Sequence, residues 1–131
     1  MHNRVRMIVG SFLVKHLLIN WIEGEKHFRN CLLDFNEANN VSGWQWVAGC
    51  GADAAPYFRI FNPILQGEKF DSKGEYVKKW VPELINVPKK FIHKPWELKD
   101  NNILKLDLDY PAPIVNHEKA RAKALNAFKR I

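Results

Sequence analysis

The placement of proline limits the regular structure that this chain of 131 residues can form. Residues 1–55 contain none of the seven prolines, whereas five of them lie between positions 82 and 113. Proline removes a backbone donor and disrupts both helix interiors and central strands, so the later stretch must be largely irregular. We therefore expect most of the regular structure before Pro56, followed by long ordered loops that short helices interrupt.

Apolar residues recur at the spacing of an amphipathic helix in several segments of the chain. The pattern predicts helices over residues 3–18, 24–34, 44–50 and 117–130. The polar segment 34–43 carries no apolar period, and we expect it to form a loop.

Capping signals indicate two further helices. Asn62-Pro63 fits an N-cap followed by proline at the first helical position. The segment 72–75 has the spacing of a capping box and predicts a helix that ends near Trp80. The alternating run at 104–108 is too short and isolated to indicate a sheet. The sequence therefore predicts an all-α fold with long ordered loops.

Composition and charge exclude several classes of protein. Apolar residues make up 47% of the chain and charged residues 26%, which is typical of a globular protein. No apolar run approaches the length of a membrane span, and we expect no signal segment from the residues after Met1. The cysteines Cys31 and Cys50 do not form a disulfide framework, so we expect a cytoplasmic protein. The net charge of +6 favours a polyanionic partner such as nucleic acid.

Metal and nucleophile chemistry have weak support in the sequence. None of the five histidines stands four residues from another, and there is no Cys-x-x-Cys motif, so no metal site is predicted. Gly49-Cys50-Gly51 has the form of a nucleophile turn, but a small buried thiol in a tight turn is the favoured interpretation.

Two tryptophans in an asparagine-rich setting form the unusual feature of the sequence. Trp44 and Trp46 lie about 200° apart on a helix and so face different environments. Both could be core anchors, but carboxamides beside aromatic rings also suit a flat heteroaromatic ligand. Asp34 could pair with Arg4 or Arg6, and a buried pair of this kind would indicate a site.

Several blocks of sequence resemble a known family in the same order along the chain. They are residues 1–8, Asn39-Asn40, Gly43-Trp44-Gln45-Trp46, 53–63, 66–71, 80–84 and 110–115. They are similar to the photolyase/cryptochrome family, with the closest likeness to class I cyclobutane pyrimidine dimer DNA photolyases. The resemblance implies that residues 1–131 form a single partial domain, the C-terminal portion of the helical FAD-binding domain, without the antenna domain.

The resemblance implies a DNA repair flavoprotein. In this family, light-excited reduced FAD donates an electron to a pyrimidine dimer in DNA, the cyclobutane ring opens, and the electron returns. We expect this chain to hold only part of the FAD site, to bind no antenna chromophore and to be inactive without the missing upstream half. A cryptochrome-like blue-light photoreceptor fragment and a non-functional remnant of a split photolyase gene are the alternatives.

The resemblance also implies roles for residues near the cofactor. The positions that match FAD contacts are Asn3, Arg6, Asp34, Phe35, Asn36 and Asn40. Arg6 would pair with Asp34 beside the flavin ring. Asn40 would face flavin N5, where a neutral amide suits an anionic reduced flavin. Trp44 resembles the proximal tryptophan, and Trp21 the middle one, of an electron-transfer chain whose outermost member lies upstream. Asn36 departs from the family, which commonly has an acid there.

A second group of residues resembles the DNA-facing positions of the family. These are Asn3, Arg4, Met7, Trp46, Arg59 and Gln66. Trp46 would offer its indole face to a flipped pyrimidine pair. Arg4 and Arg59 would hold phosphates, which makes the affinity depend on salt.

Overall fold

The computed structural model describes residues 1–100 and 109–130, with the side chains of 99 and 100 left aside. Helices, turns and loops make up these ranges, and no strand occurs in them, which confirms the predicted all-α class. The alternating run at 104–108 lies outside the described residues. None of the helices in the described ranges has the length and apolarity that crossing a bilayer requires.

Seven α-helices lie within the described residues. They are α1 (Asn3–Ser11), α2 (Trp21–Cys31), α3 (Glu37–Ala48), α4 (Pro63–Phe70), α5 (Glu75–Trp80), α6 (Trp96–Asp100) and α7 (His117–Lys129). Helix α1 continues without a break into a π-helical stretch, Phe12–His16, which we call the π segment. Single 3₁₀ turns occur at Pro82–Leu84 and Lys89–Phe91.

The chain divides into two compact units. The first contains Met1–Phe61 and the C-terminal segment from Val115, and the second contains the described residues from Asn62 to Ile114. In the first unit, α1, α2, α3 and α7 contribute to a core built around Val14, Phe28 and Trp44.

Helix α3 begins earlier than predicted, because the loop expected over 34–43 is largely helical. Asn36 caps the helix by accepting a hydrogen bond from the Asn39 backbone N–H at 3.0 Å. The buried stripe of α3 is Asn40, Trp44 and Val47, so an amide occupies a position where the periodic pattern requires an apolar residue. The helix ends at Ala48, short of the predicted 50.

The other boundaries of the first unit also differ in part from the prediction. Helix α2 starts at Trp21, three residues before the predicted start, because Asn20 Oδ1 accepts from the Ile22 N–H at 3.1 Å. It ends at Cys31, short of the predicted 34, because Leu32 is extended. The predicted helix 3–18 is confirmed in most of its length, but its last turn is π-helical and Leu18 adopts a left-handed conformation with φ 55°. The predicted C-terminal helix is confirmed as α7.

The second unit confirms one predicted cap and corrects the other. Asn62 Oδ1 accepts from the backbone of Ile64 at 3.0 Å, with Pro63 in the first turn of α4. Ser72 does not cap α5. The Asp71 carboxylate instead accepts from the Tyr76 N–H at 3.1 Å. The core of this unit contains Leu84, Val87, Phe91, Ile92 and Leu98.

A pair of histidines, buried His16 and half-buried His117, joins the π segment to α7. His16 Nε2 lies 2.8 Å from His117 Nδ1, and the Phe12 ring stacks on His16 at 5.1 Å between centroids. Burial, followed by the charge of His117, lowers the pKa of His16. The folded chain therefore favours the neutral imidazole of His16.

The histidine pair predicts a loss of stability in acid. As the pH falls below the ordinary value of 6.5, the unfolded chain binds a proton that folded His16 resists, so the free energy of unfolding decreases. As the pH is lowered below this value, the melting temperature should fall less steeply in His16→Asn than in the unsubstituted chain. His27→Asn, at an exposed histidine of α2, is the control. Equal slopes for all three proteins would contradict the prediction.

Candidate functional site

A cleft of about 790 Å³ opens in the first unit between α1, α3 and the loop that joins α2 to α3. Nine predicted site residues line it: Asn3, Arg6, Met7, Asp34, Phe35, Asn36, Asn40, Trp44 and Trp46. The four others, Arg4, Trp21, Arg59 and Gln66, do not line it. All six residues that the resemblance assigns to the cofactor therefore meet in one cavity.

An ion pair lies on the wall of the cleft. Arg6 donates to both carboxylate oxygens of Asp34, at 2.8 and 2.6 Å, and its Nε donates to the Met1 carbonyl at 2.7 Å. Residue types alone left the partner open between Arg4 and Arg6, and the structure selects Arg6, the partner that the resemblance implies. The expectation of a buried pair is wrong for this chain, because the Asp34 side chain is 66% exposed. The hydrogen bond from Arg6 is the main cause that lowers the pKa of Asp34.

Hydrogen bonds to the buried Glu25 fix Asn40, which is also buried. Its Nδ2 donates to the backbone oxygen of Glu25 at 3.1 Å and to Glu25 Oε1 at 3.2 Å. Arg29 donates to the same carboxylate oxygen at 2.7 Å and to Glu37 at 3.1 Å. Because two oxygens of Glu25 accept hydrogen bonds from the Asn40 amide nitrogen, the amide oxygen of Asn40 is the group that remains to accept a hydrogen bond in the cleft.

Sequence reasoning missed Glu25. An acid four residues before an arginine is typical of an exposed pair on a helix surface, and nothing in the local pattern indicates burial. Asn40, the residue that accounts for the buried carboxylate, comes near Glu25 only when α2 and α3 pack together, so the sequence alone carries no signal for it.

Asn36 and Phe35, on the loop side of the cleft, also have partners within the protein. The Asn36 oxygen caps α3, so its amide nitrogen is the group left toward the cleft. The guanidinium of Arg29 lies 5.2 Å from the centre of the Phe35 ring. Both positions are therefore fixed by contacts that do not involve a ligand.

The predicted electron-transfer tryptophans share one apolar cluster. Trp44 is 4% exposed and meets Phe28 in an edge-to-face contact, with 5.0 Å between ring centroids. Trp21 is half-buried and packs against the same cluster. The Trp44 ring lies where a side chain at Gly24 would stand, so this glycine allows α3 to approach α2. Sequence reasoning did not identify Gly24.

Trp46 faces a different environment from Trp44, as the spacing predicted. It is half-buried and lines the cleft, and the Arg59 guanidinium lies 5.7 Å from the centre of its ring. Tyr57 and Phe58, on the same loop as Arg59, are exposed and contact each other edge to face. The structure thus brings two predicted DNA-facing residues together and adds an exposed aromatic pair beside them.

The remaining predicted residues occupy separate positions. Asn3 Nδ2 lies 3.6 Å from Met7 Sδ on α1, and Arg4 is half-buried on the same helix. Gln66 lies in α4 of the second unit, where its Oε1 is buried without a hydrogen-bond partner among the described residues. Cys50 is exposed, so the interpretation as a buried thiol is wrong. No group of three or more potential metal ligands occurs in the described ranges.

Comparisons with known proteins identify relatives along nearly the whole chain. The family model described as the FAD binding domain of DNA photolyase matches residues 1–130. The deoxyribodipyrimidine photo-lyase of Agrobacterium fabrum is 58% identical over 100% of this chain and 28% of its own length. The chain therefore spans little more than a quarter of that relative.

Solved structures agree with these sequence relatives. A class III photolyase from Agrobacterium tumefaciens has a TM-score of 0.87 and 58% identity, over 99% of this chain and 28% of its own. A cryptochrome from Synechocystis sp. PCC6803 has a TM-score of 0.83 and 39% identity, over 96% and 27%. The similarity thus extends to a class III photolyase and to a cryptochrome.

Proposed function

Because the chain belongs to the family of the DNA photolyase FAD-binding domain, we propose that it is part of an enzyme that repairs cyclobutane pyrimidine dimers in DNA with light. One observation carries the proposal: a single cleft gathers all six residues that resemble FAD contacts, and Trp46 lies on its wall. Relatives named deoxyribodipyrimidine photo-lyase support the same activity.

The cleft residues fit the flavin end of FAD. Carboxamides of Asn3 and Asn40 and the Arg6–Asp34 pair offer donors and acceptors to the edge of a flat ring, and Phe35 offers an aromatic face. Gly43 leaves open space on α3, where an added Cβ would meet nothing within 4 Å. Reduced FAD, when bound, supplies the light-absorbing electron donor. In the proposal, the oxygen of Asn40 accepts a hydrogen bond from the ring edge while Glu25 holds the amide in place.

The tryptophan cluster supports the electron-transfer part of the proposal. We assign Trp44 as the residue nearest the cofactor, because it both lines the cleft and is buried. Trp21 is the next member, since it packs on the same cluster and is only half-buried.

DNA binding is proposed for the face that carries Trp46. The indole would stack on an extruded base, and the Arg59 guanidinium beside it would contact a phosphate. Asn3, Arg4, Met7 and Gln66 keep their proposed roles near the lesion or the backbone.

The chain is proposed to act with further protein. It spans 28% of the length of its Agrobacterium fabrum relative, and we assign the remaining FAD contacts and the antenna chromophore to sequence outside this chain. The site of action is proposed to be the cytoplasm.

A chimera tests the proposed function. The matching segment of the Agrobacterium fabrum relative is replaced by this chain, and the product is assayed for FAD content and for repair of thymine-dimer oligonucleotides. We expect repair under blue light and none in the dark. A chimera that folds and binds reduced FAD but repairs no dimers in light would contradict the proposal.

The similarity to a cryptochrome makes a photoreceptor role the second candidate. The chimera separates the two functions, because a photoreceptor segment should support flavin binding and light absorption without dimer repair. A chimera in which Trp46→Ala lowers dimer affinity would favour repair, since the substitution removes a stacking surface that signalling does not need.

A further inference from the structure

Two buried polar side chains of the first helical stretch hold the loop that carries Arg59. Lys15 Nζ donates to the Arg59 carbonyl oxygen at 2.7 Å. Ser11 Oγ accepts from the Phe61 backbone N–H at 3.2 Å. Both side chains belong to residues that are 1% exposed. The backbone on both sides of position 60 is therefore anchored to the protein interior.

The ammonium group of Lys15 is unusual in this position. Lysine is almost never fully buried unless it is paired, and no carboxylate in the described ranges lies within 4.0 Å of its Nζ. Burial, and then the charge of Arg59, lowers the pKa of Lys15. An apolar side chain would fill this space at a lower desolvation cost, so packing does not account for the ammonium.

The other side of the loop meets α3. The Ala55 N–H donates to the Trp46 carbonyl at 3.0 Å, and the Arg59 guanidinium lies 5.7 Å from the centre of the Trp46 ring. Arg59 thus has its carbonyl bound by Lys15 and its side chain placed over Trp46. The two ends of this residue are fixed by different elements.

We propose that Lys15 is a positioning residue for DNA binding, whose ammonium holds the Arg59 carbonyl so that the guanidinium stays over Trp46 and faces a DNA phosphate. Ser11 assists by holding the Phe61 backbone N–H of the same loop. An arginine that is already oriented loses less conformational freedom when DNA binds. The inference rests on the proposed function, because the role of Arg59 toward DNA is itself proposed.

A double-mutant cycle in the chimera tests the positioning role. Lys15→Met, Arg59→Ala and the double variant are compared for affinity toward a dimer-containing duplex, FAD content and melting temperature. We expect Lys15→Met to keep its FAD and its melting temperature and to bind the duplex about tenfold more weakly. In the Arg59→Ala background the same change should alter affinity by less than about twofold.

A charge-matched control accompanies the cycle. Lys26→Met removes one positive charge from an exposed position of α2, where the side chain is 61% exposed, and should leave the affinity unchanged. Additive effects of Lys15→Met and Arg59→Ala would overturn the proposal, because Lys15 would then act without Arg59. Unchanged affinity in Lys15→Met would overturn it as well.

Ser11→Ala keeps the proposal testable if Lys15→Met does not fold. Loss of the Oγ acceptor should weaken duplex binding severalfold, again only when Arg59 is present. An unchanged affinity in this variant would count against the anchored loop. Failure of the unsubstituted chimera to bind dimer DNA would instead reject the proposed function, so the two failures are distinguishable.

Discussion

Replacement of Gly24 by alanine will destabilise the first unit by about 1–3 kcal/mol. A methyl group built on Gly24 overlaps three atoms of the Trp44 ring, and the indole is already fixed between the helices by Phe28. Because the ring is rigid and buried, relief requires α2 to move away from α3. Equilibrium unfolding of the 131-residue chain should show a lower midpoint, and near-ultraviolet circular dichroism should report a changed tryptophan environment.

Gly43→Ala is the matched control for this prediction. Gly43 also lies inside a helix, but an added Cβ there meets nothing within 4 Å. Alanine has the higher helix propensity, so this variant should be as stable as the unsubstituted chain or more stable. If both glycine variants lose the same stability, the close approach of α2 and α3 at Gly24 is not what constrains the residue.

Replacement of Asn40 by aspartate will cost about 1–3 kcal/mol at neutral pH. The change removes the donor that binds Glu25 and places a second carboxyl against that buried carboxylate, 3.2 Å away in the present pair. A proton shared between the two acids relieves the repulsion, so the folded pair has a raised pKa. The loss of stability should therefore be largest near neutral pH and smaller in acid, as measured by unfolding at several pH values.

Asn39→Asp provides the comparison for this change. Asn39 is the neighbouring residue of α3, is exposed, and lies in the first turn, where a negative charge is favourable. Its free energy of unfolding should stay near that of the unsubstituted chain. An Asn40→Asp protein with the same pH dependence as Asn39→Asp would show that the contact with Glu25 does not determine the behaviour of position 40.

Periodicity located most helices of this chain but missed the start of α3, for a physical reason. A search for apolar spacing identifies a helix by its buried stripe, and here that stripe includes the amide of Asn40. The amide is tolerated because Glu25 satisfies it, and that partner comes from another helix. The local sequence contains the cap at Asn36, but it does not show which residue of another helix packs against the following turn.

Residue chemistry predicted part of the site but not the buried residues that hold it in place. Asp34 with an arginine, and two tryptophans on opposite sides of a helix, were predictable from residue type and spacing. Lys15 and Glu25 were not, because charged residues on amphipathic helices are normally exposed. Their burial depends on how the π segment, α2 and the Arg59 loop come together.

The cap at the start of α3 has a consequence for tuning the cleft. Asparagine and aspartate are almost equally good N-caps, and a carboxylate there also complements the helix dipole. Exchange of Asn36 for aspartate would therefore add one negative charge to the cleft, and so lower its electrostatic potential, while preserving the helix start. The charge at position 36 can therefore be changed, by natural selection or by design, without a change in the fold.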